Sequence, residues 1–142
     1  MASNFGALLA QRGVLLFLLG LLTGLGQGVY RNPRVGLSAH MTGVQSGTVL
    51  IAFGLLWPYL GIASGWAAPV AHTLWLSFYA IWFALVLAAI FGASKVLPIA
   101  GKGFGAKPWQ EALVSTVMIA GSVACIVAVG AVLVLGRWVS VV

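Results

Sequence analysis

The chain has 142 residues, 62% of them hydrophobic, and its only charged side chains are seven Lys or Arg and one Glu. A water-facing surface carries roughly a quarter to a third charged residues, so an ordinary soluble enzyme and a disordered chain are both excluded. The formal charge of +6 reflects scarcity of acid, and its scattered cations form no stripe for nucleic acid. Cys125 stands alone, which excludes an internal disulfide, and no C-x-x-C-H run offers covalent haem attachment.

A membrane-crossing helix needs about 20 residues with few charges. Charge-free intervals of 18 residues (Arg12 to Arg31), 60 residues (Arg34 to Lys95) and 25 residues (Glu111 to Arg137) divide the chain. The first predicts a helix over Gln11–Val29. Arg12 ahead of an apolar run resembles a signal peptide, yet no small-residue cleavage site closes it, so a retained span is expected. The second interval is too long for one crossing. Pro58 and Pro69, with Gly61, Ser64 and Gly65 between them, split it into helices over Ser38–Trp57 and Val70–Ser94. The third predicts Trp109–Gly136. The expected fold class is all-α, an integral membrane four-helix bundle forming one domain over residues 1–142.

Small residues four apart mark faces where helices approach closely in lipid. Gly20, Gly24 and Gly28 do so on the first helix, Ser77, Ala80, Ala84 and Ala88 on the third, and Ala120, Ala124 and Ala128 on the fourth. They serve packing within the bundle or an interface between protomers. An even number of spans puts both termini on one side with Arg12 and Arg137, opposite Arg31, Arg34, Lys95, Lys102 and Lys107. That bias predicts external termini, in a bacterial inner membrane.

Polar residues inside a span are costly and need partners. His40 lies near the start of the second helix, with Gly43, Val44 and Gly47 on its face. Two of the three have no side chain, and the resulting slot would admit a planar macrocycle with His40 as axial ligand. The alternative is a His that bonds a neighbouring helix or rests among headgroups. No clustered Cys, His and Asp set points to zinc or copper, and His72, the other imidazole, starts the third helix on the opposite side. Trp75, Phe78, Tyr79 and Trp82 form one stripe on the third helix, for packing, lipid contact or a flat aromatic ligand. With Glu111 the sole internal acid, Arg31 and Arg34 look to outside anions, either membrane lipid phosphates or haem propionates. Ser/His/Asp and paired-carboxylate catalysis are excluded, because the chain has no Asp and one Glu.

Asn32-Pro33-Arg34, then Leu37-Ser38-Ala39-His40 with Gly43, Gly47-Thr48, and later Leu97-Pro98-Ile99-Ala100-Gly101, resemble the hydroxylaminobenzene mutases over most of the chain. A more distant similarity reaches the styrene oxide isomerases, four-helix membrane proteins that bind haem b between neighbouring protomers of a trimer. His40 and Gly47 match their haem-ligating His and a Gly later on the same helix. The resemblance implies an isomerase acting on a small aromatic substrate without net redox change. An arylhydroxylamine would become an aminophenol, or an aryl epoxide an aldehyde, with ferric haem b as Lewis acid. It further implies a homo-oligomer, a trimer, with His40 on the metal and Gly47 beside the cofactor; the charge balance adds Arg31 and Arg34 as candidate cofactor contacts, the helix face Gly43, and the aromatic stripe Trp75 and Trp82. Relatives carry Asn where Ser46 and Ile81 stand, and the epoxide isomerases an acid near Ser77. Ser46, Ser77 and the Tyr79 hydroxyl are the candidate groups for orienting substrate in their place. A haem-dependent isomerase, a haem-binding sensor or carrier, and a structural membrane protein are the three classes open at this stage.

Overall fold

The computed structural model describes residues 2–137. Among them are four long helices: α1 (Ala2–Leu25), α2 (Pro33–Leu56), α3 (Ser64–Phe91) and α4 (Pro108–Leu135). A short 3₁₀ turn, Gly26–Val29, follows α1, and another, Trp57–Tyr59, follows α2. All four helices are long and apolar enough to cross a membrane. The all-helical, four-span architecture expected from charge spacing is therefore the one observed.

Three helix starts differ from the sequence reading, each for a local reason. α1 begins at Ala2, so Arg12 lies inside the helix and not at its end. α2 begins at Pro33, because Asn32 caps it: the Asn32 Oδ1 accepts from the Arg34 N–H at 3.1 Å and the Val35 N–H at 3.3 Å. α3 begins at Ser64 and carries Pro69 within it. A proline that near a helix start withdraws one N–H from a carbonyl, that of Gly65, close to the helix end, where it is readily satisfied otherwise. The other end of α3 stops at Gly92, whose φ of 74° is left-handed and whose N–H bonds the Ala88 carbonyl at 2.8 Å.

α1 and α2 run antiparallel in the closest pairing of the bundle. A Cβ added at Gly13 would lie 2.7 Å from the Gly47 carbonyl oxygen, one at Gly20 would lie 2.5 Å from the Val44 nitrogen, and one at Gly47 would lie 2.5 Å from the Phe17 nitrogen. Gly6 and Gly54 repeat the arrangement toward the termini, with added Cβ atoms 2.8 Å from the Gly54 oxygen and 2.6 Å from the Ala10 nitrogen. Of the expected contact glycines, Gly20 and Gly24 belong to this seam, whereas Gly28 has nothing within 4 Å. The seam follows the seven-residue series Gly6, Gly13, Gly20, which a search at four-residue spacing passes over.

α3 joins this pair to α4. Where Gly121 lacks a side chain, an added Cβ would meet the Ala80 Cβ at 3.1 Å, and Ala84, Ala88 and Ala128 are buried. Two apolar cores result. One gathers Leu9, Leu16, Leu50, Leu60 and Leu74 toward the termini; the other gathers Val35, Ala39, Leu85, Ala88 and Val114 toward the charged loops. His40, Gly43, Ser46, Gly47, Ser77 and Trp82 lie between them in the chain order of α2 and α3.

Gly47→Ala tests the seam. We expect a loss of about 1–3 kcal/mol, seen as a lower unfolding temperature in detergent, while Gly130→Ala, with nothing within 4 Å, leaves stability unchanged or slightly raised.

Candidate active site

The α1–α2 seam positions His40. Its Nδ1 is 2.8 Å from the Gly20 carbonyl oxygen. Only a protonated nitrogen can donate to that carbonyl, so Nδ1 carries a hydrogen, and in the neutral ring Nε2 then keeps its lone pair. Gly24 stands four residues beyond Gly20 and makes room for the ring: a Cβ there would lie 2.6 Å from Nδ1. The imidazole thus occupies the place of a missing side chain, half-buried, oriented by a backbone group. A backbone carbonyl on one nitrogen with a free lone pair on the other is the arrangement of a metal-ligating histidine. Among the described residues no three His, Cys, Asp or Glu side chains come together, so a metal at His40 would take that one ligand from the chain.

The slot expected beneath His40 is not open. Gly43 lies against Gly20, where an added Cβ would be 2.6 Å from the Gly20 Cα, and Gly47 lies against Phe17 and Gly13. Both glycines let α1 in, leaving no room there for a macrocycle. The physical reason is that lipid offers no hydrophobic drive between helices, so small residues gain most by direct backbone contact.

Trp82 is the aromatic residue that closes on this region. Its indole N–H donates to the Thr23 hydroxyl at 3.2 Å, and its ring is 2.9 Å from where a Gly43 Cβ would sit. Thr23 in turn donates to the Leu19 carbonyl at 2.7 Å, and its own carbonyl accepts from the Tyr30 hydroxyl at 3.1 Å. Thr23 escaped the sequence reading because a single Thr in an apolar helix carries no spacing signal.

The rest of the aromatic stripe lies elsewhere. Trp75 packs under Arg12, whose guanidinium carbon is 5.1 Å from the ring centroid, and its N–H donates to His72 Nδ1 at 3.1 Å. Arg12 and Gly24 are twelve residues apart on one helix, about 18 Å, so Trp75 does not wall a ligand at His40 within this chain. The Tyr79 hydroxyl donates to the Arg12 carbonyl at 2.8 Å. Ser77 is buried, its hydroxyl turned onto the Leu74 carbonyl at 2.8 Å, beside a cavity of about 420 Å³ between α3 and α4 that Thr73, Ala80, Thr116 and Gly121 help line. Ser46 is buried six residues beyond His40, about 9 Å along the axis. Ile81 faces α4, with its Cγ1 3.2 Å from the place of a Gly121 Cβ. The three candidate hydroxyls are thus not gathered around the imidazole within one chain.

Arg31 and Arg34 find partners inside the protein, where outside anions were expected. Arg31 donates to the Phe91 carbonyl at 3.0 Å, and Arg34 donates to the Lys102 carbonyl while lying 5.6 Å over the Phe104 ring. Glu111 pairs with backbone: its carboxylate accepts from the N–H groups of Ser94 and Lys95, each at 3.0 Å, and of Ala106 at 3.1 Å. Asn32, fully buried, ties the same end together by accepting within α2, donating its amide to the Ala100 carbonyl at 3.0 Å, and donating its backbone N–H to Ala89 at 3.0 Å.

Comparison with known proteins gives this arrangement a family. The chain is 41% identical over 120 residues to hydroxylaminobenzene mutase HabB of Ectopseudomonas oleovorans, covering 84% of this chain and 73% of the relative. It is 42% identical over 104 residues to hydroxylaminobenzene mutase HabA of the same organism, covering 72% of this chain and 77% of the relative. The family model for styrene oxide isomerase matches residues 6–137, through all four helices and the His40 region. The chain therefore belongs to the styrene oxide isomerase family, and it is an isomerase.

Proposed function

We propose that this isomerase rearranges an arylhydroxylamine to an aminophenol, with ferric haem b held by His40. The observation that carries the reading is the 2.8 Å contact of His40 Nδ1 with the Gly20 carbonyl, which leaves Nε2 as the ligand. Ferric haem, when bound, supplies an electrophilic iron toward the oxygen of the substrate. The chain supplies the rest. The Gly20 carbonyl holds the imidazole in one tautomer and raises its basicity, and Gly24 gives it the space to do so. The Trp82 ring, fixed by its bond to Thr23, offers a π-face that favours developing positive charge on an aromatic substrate. Glu111, the one acid, is engaged with backbone N–H groups of the loops, so no carboxylate competes as base or nucleophile beside His40. Arg31 and Arg34 retain further N–H donors for the propionates beyond those given to carbonyls.

With Gly43 and Gly47 filled by α1, the cofactor belongs on the outer face of the α1–α2 pair, where a half-buried His40 is flanked by exposed Leu37 and Met41. A second copy would complete that site and bring in hydroxyls the single chain keeps apart, which supports a homo-oligomer, a trimer by resemblance. A second reading, aryl epoxide to aldehyde, is favoured by the family match itself.

Purified protein should show a Soret band that His40→Ala removes or strongly shifts and that His72→Ala leaves intact. Gly24→Ala should lower haem content by forcing the imidazole off the Gly20 carbonyl. A normal haem spectrum in His40→Ala would overturn the ligand.

The ferric protein should convert an arylhydroxylamine faster than an aryl epoxide, with no added reductant, and dithionite should suppress the rate. Equal ferric and ferrous rates would reject the Lewis-acid chemistry, and a faster epoxide reaction would select the second reading.

For orientation, the loop cations Arg31, Arg34, Lys95, Lys102 and Lys107 support termini outside the cytoplasm. A C-terminal green fluorescent protein fusion should then be dark, and strong fluorescence would reverse the orientation.

A further inference from the structure

Arg12 poses a problem that the reading of the His40 site leaves unsolved. It lies seven residues inside the apolar span that starts at Phe5, about 10 Å along the axis. A cation at such depth needs a partner. The Trp75 ring lies under the guanidinium, but Nε is buried without a hydrogen-bond acceptor among the described residues. Glu111 is at the loop end of the bundle and already accepts from Ser94, Lys95 and Ala106. A second copy inserted in the same sense carries its Glu111 at that far end as well, so its acidic side chain cannot neutralise Arg12.

The surface beside Arg12 indicates what does. Gln11, Arg12, Val14, Leu15 and Leu18 line a groove of about 430 Å³ on the outer face of α1. Gln11 and Arg12 make one end polar, while Val14, Leu15 and Leu18, 59%, 40% and 49% exposed, extend an apolar track from it toward the middle of the span. Side chains on a helix lean toward its N-terminus, so Arg12 reaches back toward the nearer membrane face. Polar head outward and apolar track inward is the polarity of a lipid in that leaflet.

We propose that this groove binds an anionic phospholipid, its phosphate on the Arg12 guanidinium beside the Gln11 amide and an acyl chain along Val14, Leu15 and Leu18. Net negative charge is required, because a zwitterionic headgroup brings an ammonium for which this end has no carboxylate side chain. The site stands on the opposite half of the bundle from His40 and does not rest on haem.

Native mass spectrometry of the detergent-solubilised protein with added phosphatidylglycerol or phosphatidylcholine tests it. The wild-type chain should keep a phosphatidylglycerol adduct and little phosphatidylcholine. Arg12→Gln should lower phosphatidylglycerol occupancy about tenfold, and Leu15→Trp, which fills the groove and leaves the charge, should lower it comparably. Equal retention in either variant, or equal adducts with the two lipids, would overturn the proposal. So would competition by inorganic phosphate as effective as the lipid, or loss of haem with unchanged lipid in Arg12→Gln, which would give the anion to the cofactor.

Discussion

The close approach of α1 to α2 is the constraint on which the rest of the molecule depends. Helix association in lipid draws on packing and on polar contacts, since lipid tails are as apolar as the side chains they surround. Gly13 against Gly47 and Gly20 against Gly43 remove the side chains that would hold the two backbones apart. Once the backbones touch, the Gly20 carbonyl, buried inside a helix, comes within 2.8 Å of an imidazole on the neighbouring helix. Gly24 matters for the same reason, since its absent Cβ leaves the ring its place. One packing decision thus sets the direction of the His40 imidazole and the carbonyl that its Nδ1 meets.

The loop end solves a different problem. Backbone N–H groups near lipid must be satisfied internally, and this end has few side chains to do it. Asn32 and Glu111 do most of that work, the first accepting from two α2 N–H groups and donating to Ala100, the second accepting from the N–H groups of Ser94, Lys95 and Ala106. A carboxylate spent in this way holds the α3–α4 loop.

The two halves of the bundle therefore differ in character. Toward the loops lie His40, Thr23 and Trp82, linked through Gly20 and Gly43; toward the termini lie Arg12, His72, Trp75 and Tyr79, linked by the Trp75–His72 and Tyr79–Arg12 bonds. The stripe from Trp75 to Trp82 runs between them. Its members share one face of α3 but meet different levels of α1, so they belong to two environments and not to one aromatic wall.

How much was legible beforehand follows from which forces act locally. Charge spacing determined the four spans, because an unpaired charge in lipid is costly wherever the helix sits, and the motif around His40 singled out the residue that the structure then orients. Pro33 after Asn32 was also readable as a helix start, although the sequence reading passed it over. Arg12 is no span boundary, because α1 runs on through it to Ala2. At Gly43 and Gly47 the absence of a side chain is visible in sequence, but that α1 packs into the space is not. The Gly20 partner of His40, the Thr23 partner of Trp82 and the separation of Trp75 from His40 all depend on the register between α1 and its neighbours. That register comes from backbone contacts between residues distant in the chain, so only the tertiary structure decided it.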